Sequence, residues 1–127
     1  MSIKNEVEKN MTAFESSDDK TLTARFKFPI DFIGFQGHFP SEKVLPGVCQ
    51  IQCAASMLER FFGKPVLLKE IVSAKFFAPV FPSEEIICVC RGLNDSHKEF
   101  VIKASVSKNG KTVAELKLRG AVGLRRN

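Results

Sequence analysis

The apolar positions of this chain follow two periods in turn. From Thr21 to Phe28 they alternate, with Leu22, Ala24, Phe26 and Phe28 on one side and Thr23, Arg25 and Lys27 on the other. A period of two is that of a half-buried strand. Ser16-Ser17-Asp18-Asp19 just before it is a turn signal. Residues 3–15 fit a helix or a strand, and the turn favours a hairpin of two strands here. Between Pro29 and Pro46 proline and glycine break every period, so an irregular loop with short ordered pieces is expected.

At Gly47 the period changes to that of a helix. Val48, Ile51, Ala55, Leu58 and Phe62 recur at three- and four-residue steps, and Met57 and Phe61 widen the stripe. Pro46 suits a helix start, and Gly63 with Pro65 suits a stop. The pattern therefore predicts a helix over 47–62 that is apolar on most sides and surrounded by protein. Gln52, Ser56 and Glu59 form its narrow polar flank.

After Pro65 strands return. Glu85–Cys90 is rich in β-formers, Phe100–Val106 alternates, and Asn109-Gly110 is a strong hairpin signal. The final strand sets Ala114, Leu116 and Leu118 against Glu115, Lys117 and Arg119 on its other face. One long buried helix and about five or six antiparallel strands make an α+β fold, with a curved sheet wrapped around the helix.

Composition narrows the class. The 127 residues, 44% hydrophobic, suit one domain spanning 1–127 with a real core. No apolar run is long enough for a membrane span and no basic-then-apolar leader opens the chain, so a cytoplasmic protein is expected. In that compartment Cys49, Cys53, Cys88 and Cys90 are expected as free thiols. Their spacing matches no common zinc motif, and no metal or cofactor is assigned. Nineteen Lys and Arg against fourteen Asp and Glu give a net charge of +5, which suits an acidic partner. Nucleic acid fits poorly, because the basic residues are scattered and neither Tyr nor Trp supplies a stacking platform.

The chemistry concentrates at Gly37-His38-Phe39-Pro40 and Leu45-Pro46-Gly47-Val48. His38 is a base that titrates near neutral pH. The amides that open the following helix, with Gly47 first, are oriented donors suited to a carbonyl that gains negative charge. His97, in a polar turn, reads as solvated.

These two segments resemble the FabZ/FabA-type 3-hydroxyacyl-thioester dehydratases of the hotdog fold. The stretch Ile71–Glu84 resembles the strand and turn after the central helix of that family, and the similarity runs from about Lys20 to the C-terminus. The resemblance implies a homodimer whose sites are shared, with the helix residue supplied by the other subunit. It also implies a substrate carried by acyl carrier protein or coenzyme A. His38 then acts as base, Gly47 and Val48 bind substrate, and the second catalytic position, fourteen residues after the histidine, is Gln52. The family carries an acid there. An amide orients a hydroxyl or a water but releases no proton. Glu59 lies two turns further along the helix, and Glu42 is in the nearby loop. Phe35, Phe39, Phe76 and Phe81 are candidates for an acyl tunnel or for core. Three functions follow: a dehydratase, a hotdog thioesterase with water held by Gln52, or a non-catalytic acyl-binding partner subunit.

Overall fold

In a computed structural model, residues 2–36, 42–93 and 98–123 are described. His38, Phe39 and His97 lie outside the described residues.

The ambiguous first segment divides in two. Ile3–Lys9 forms helix α1, because Ser2 caps it by accepting the Asn5 N–H at 3.1 Å and Lys9 pairs with Glu6 at 3.1 Å. Strand β1, Met11–Ser16, then pairs antiparallel with β2, Leu22–Lys27. The expected hairpin is present, but its first leg begins only at Met11. A 3-10 turn, Ile33–Phe35, interrupts the loop that follows.

Helix α2 covers Gly47–Phe62, as the periodicity predicts. Gly63 ends it in the left-handed region at φ 68°, with its N–H on Glu59 O at 2.8 Å. The buried stripe is centred differently from the expectation: Cys49, Cys53, Ala54, Met57 and Leu58 are buried, whereas Val48 is 66% exposed. Val48 sits in the first turn, and its side chain faces away from the sheet.

Four long strands complete the sheet: β3, Val66–Phe76; β4, Glu85–Arg91; β5, Glu99–Lys108; and β6, Lys111–Val122. Asn109 and Gly110 turn β5 into β6 with φ 51° and 79°, the two positive values that a tight two-residue hairpin needs. The spatial order is β1-β2-β4-β5-β6-β3, antiparallel throughout. Inward positions such as Phe26, Ile86, Cys88, Ile102 and Leu118 form one core with α2. All four cysteines are free and buried. The architecture is an α+β hotdog: a six-stranded antiparallel sheet around one long helix.

Strands β3 and β4 are consecutive in sequence but lie three positions apart in the sheet. The connection between them therefore runs across the ends of β6 and β5. It is held there by Phe77 N–H to Val113 O, Lys108 Nζ to Pro79 O and Ser83 N–H to Phe28 O, each at 2.7–2.8 Å. This crossing brings Phe76–Pro79 over the start of α2.

Candidate active site

The segment before α2 is tied to the crossing by the Leu45 N–H, which donates to Val80 O at 2.8 Å. Pro46 then occupies the N-cap position in an extended conformation and offers no side-chain cap. Its carbonyl accepts from the N–H groups of Cys49 (3.0 Å) and Gln50 (3.3 Å). The N–H groups of Gly47 and Val48 have no acceptor among the described residues. They are the positive end of a sixteen-residue helix.

Gly47 lets its neighbour come close. A Cβ placed there would lie 2.7 Å from Cζ of the Phe76 ring. Phe76 and Phe77 are 45% and 57% exposed, so these aromatic rings form an accessible wall. With Val44, Leu45, Gly47, Gln50, Ala78 and Pro79 they line a cleft of about 310 Å³ at the mouth of α2. The cleft has apolar walls and free backbone donors, which is the composition of a small-molecule site. Phe35, by contrast, is core.

The structure places Gln52 elsewhere on the helix. Two residues of α2 turn the side chain through roughly 200°, so Gln52 points roughly 160° away from Gln50. Gln52 Nε2 donates to Ser56 Oγ at 3.0 Å. Within one chain, then, Gln52 does not share the cleft lined by Gly47 and Gln50. Neither glutamate near the flank is placed beside this cleft. Glu59 is engaged twice at 2.8 Å, accepting from the Val66 N–H and pairing with Lys4, while Glu42 is exposed in its loop. Burial pushes the Cys49 thiol up to about 11 and raises the Cys53 thiol well above its ordinary value, so neither is activated as a nucleophile.

Two features escaped the sequence reading. Gln50 is a polar residue within the buried face of α2, only 3% exposed. Its place opposite Gln52 was readable from the helical period. The other feature needs the register of four strands. Arg91 of β4 lies opposite Lys103 of β5, which lies opposite Lys117 of β6, with Ser73 of β3 next in line. Lys75 and Ser105 flank Glu115 one step away, and the group lines a depression of about 480 Å³ on the outer face of the sheet. Around it the charges are paired: Arg119 with Glu70 (3.0 Å), Lys69 with Glu99 (3.0 Å) and Arg25 with Glu85 (2.7 Å). Arg91, Lys103 and Lys117 have no ion-pair partner among the described residues.

A family model described as "ApeI-like: ApeI dehydratase" matches residues 13–117. The chain belongs to this dehydratase family. Its kinship with the FabZ/FabA-type enzymes is direct. The 3-hydroxyacyl-[acyl-carrier-protein] dehydratase FabZ of Clostridium botulinum (strain Eklund 17B / Type B) is 32% identical over 96 residues, which cover 70% of this chain and 68% of the relative. Among solved structures, the dehydratase heterocomplex ApeI:P from Xenorhabdus doucetiae superposes with a TM-score of 0.75. It is 18% identical and covers 87% of this ApeI-like chain and 96% of its own. The putative thioesterase yhdA from Lactococcus lactis superposes with a TM-score of 0.71 at 14% identity, covering 98% and 100%. At those identities the two structures carry the fold alone.

Proposed function

We propose that this ApeI-like chain is a lyase that removes water from a 3-hydroxyacyl thioester. His38 takes the proton next to the thioester carbonyl. The Gly47 and Val48 amides hold the carbonyl oxygen as charge builds on it, the carbon–carbon double bond forms and the C3–O bond breaks. The hydroxyl leaves as water with the proton that His38 returns, while Gln52 orients the departing oxygen. The observation that carries this reading is the mouth of α2, where the Gly47 amide, without an acceptor among the described residues, opens on an apolar cleft beside the Val48 amide.

Gln52 points away from that cleft, which supports a site completed by a second copy of the chain. Strand β3 supports the same assembly. It is an edge strand of eleven residues, with Ile71 and Val72 exposed and one side of its backbone unpaired. Such an edge invites pairing with another strand. We therefore assign a homodimer of single hotdog domains, joined through β3. The partner that delivers the substrate is an acidic carrier protein, with coenzyme A as the alternative carrier. The row Arg91-Lys103-Lys117, without ion-pair partners among the described residues, is the surface assigned to the carrier. Four free cysteines in the core suit the reducing cytoplasm.

The test is an assay of the purified protein and of His38→Ala on 3-hydroxyacyl thioesters. Loss of one water from the substrate, abolished by His38→Ala, is the expected result. A free thiol in its place marks the thioesterase. Binding without turnover marks a non-catalytic subunit.

A further inference from the structure

The cleft at the mouth of α2 holds a polar group that the proposed chemistry does not use. Gln50 lines the cleft, is 3% exposed, and its Oε1 is buried without a hydrogen-bond partner among the described residues. A buried acceptor left unpaired destabilises a fold, and nearly all such groups in native proteins are satisfied. Replacing Gln50 by an apolar side chain of similar size would relieve that cost. A residue kept against stability, at a concave site, points to a ligand.

The polar groups that face the cleft are complementary in kind. The Gly47 amide is a donor, with the Val48 amide next to it at the helix start, and the Gln50 oxygen is an acceptor. The walls around them are apolar, and two of them are exposed phenylalanine rings free to adjust. An occupant that satisfies every group presents a carbonyl to the amides and, a few bonds away, an O–H or N–H to Gln50, both on an apolar chain.

We propose that Gln50 is a ligand-binding residue that accepts a hydrogen bond from a donor on the acyl-thioester substrate seated at the α2 mouth. The inference rests on the dehydratase reading of that mouth. Two groups of such a substrate have the required chemistry: the 3-hydroxyl of the acyl chain and the amide N–H nearest sulfur in a pantetheine arm. Gln50 belongs to the substrate's own cleft, whereas Gln52 on the far side of the helix serves the site of the second subunit.

The experiment compares the wild type with Gln50→Met, which keeps length without polarity, and with Gln50→Leu in case one of them packs poorly. Melting temperature, kcat and KM are measured with 3-hydroxyacyl-pantetheine in dehydration and with the matching 2-enoyl-pantetheine in hydration. The expected result is a melting temperature raised by about 2–8 °C together with KM raised by about tenfold and kcat little changed. A rise in KM for the hydroxyacyl substrate alone identifies the hydroxyl as the donor; a rise for both identifies the amide. Unchanged KM in both directions, or a lower melting temperature in both variants, overturns the proposal. If the wild type turns over neither thioester, the dehydratase reading fails on its own. Gln50 is then judged by the dissociation constant of the 3-hydroxyacyl-pantetheine, which must rise in Gln50→Met for the proposal to stand.

Discussion

Gln52 donates its Nε2 hydrogen to Ser56 Oγ at 3.0 Å, one turn further along α2. In this arrangement Nε2 is turned to the helix and Oε1 is the end left for a ligand. It also shows that the position has a partner ready for a carboxylate, because a serine hydroxyl donates as well as accepts. Gln52→Glu is therefore expected to keep the local network, with Ser56 donating to the new carboxyl. It supplies the proton donor that the FabZ/FabA-type pattern has at this place. Turnover of 3-hydroxyacyl thioesters should rise, toward a ceiling of about 10²–10⁴-fold, the usual worth of a general acid. A folded Gln52→Glu protein with unchanged kcat contradicts the role assigned to this position.

Two glycines separate function from stability. At Gly47 an added Cβ meets the far end of the Phe76 ring, which is exposed and can swing aside. At Gly120 it meets the backbone oxygen of Leu67 at 2.5 Å, within the β3–β6 pairing, and nothing there can yield. Gly120→Ala should cost at least about 2 kcal/mol, read by denaturant titration. Gly47→Ala should cost less than about 1 kcal/mol, yet reshape the cleft and depress turnover strongly.

The β3 edge gives the test of assembly. Val72→Lys places a charge on an exposed edge position, a substitution that natural edge strands use against pairing. Sedimentation should show a monomer with an intact far-ultraviolet spectrum and no dehydration. An active monomer would remove the shared site.

Reversing charge on the outer face should separate carrier from substrate. In Lys103→Glu the new carboxylate lies between Arg91 and Lys117, so like charges become opposite ones. A stability gain of about 0.2–1 kcal/mol follows. KM for a carrier-bound thioester should rise several-fold, and KM for the coenzyme A thioester should not. Added salt should weaken the wild type for the carrier-bound substrate only, since exposed charges are screened within about 10 Å at 0.1 M.

Glu84 predicts part of the acid sensitivity. Burial works to raise its carboxyl, but the Phe81 N–H at 2.7 Å and the Lys108 ammonium at 3.0 Å outweigh it and hold it below the ordinary range. The unfolded chain thus binds the proton more readily than the folded one. The contribution is fully present above the unfolded carboxylate value, about 4.3, and is lost as pH falls through the lower folded value. Glu84→Gln should be less stable at pH 7, and its stability should fall less between about pH 5 and pH 3. Urea titrations across that range test it.

The limits of the sequence pattern are physical. The helix at 47–62 and the alternation in β2, β5 and β6 were legible because each buries one face against the same core. Residues 3–9 were not, because α1 buries only Val7 and owes its form to a serine cap and one ion pair. Val48 matched the helical stripe and still faces outward, since periodicity gives the angle about the axis but not how far the sheet extends. The donors at Pro46-Gly47 could be read from local chemistry. The cation row could not, because it needs the pairing of β4 with β5 and β5 with β6.

The sheet order also constrains when this site can exist during synthesis. Helix α2 and strand β3 leave the ribosome one after the other, but β3 takes its hydrogen bonds from β6, completed only at Val122. Until then β3 has no strand to pair with, and the rings of Phe76 and Phe77 have no fixed place over Gly47. The cleft is therefore a late product of folding, built by a contact between segments far apart in the chain, and such contacts form slowly. A ribosome-bound chain lacking Lys111–Val122 would expose its longest apolar edge with no partner, in the interval when aggregation competes with folding.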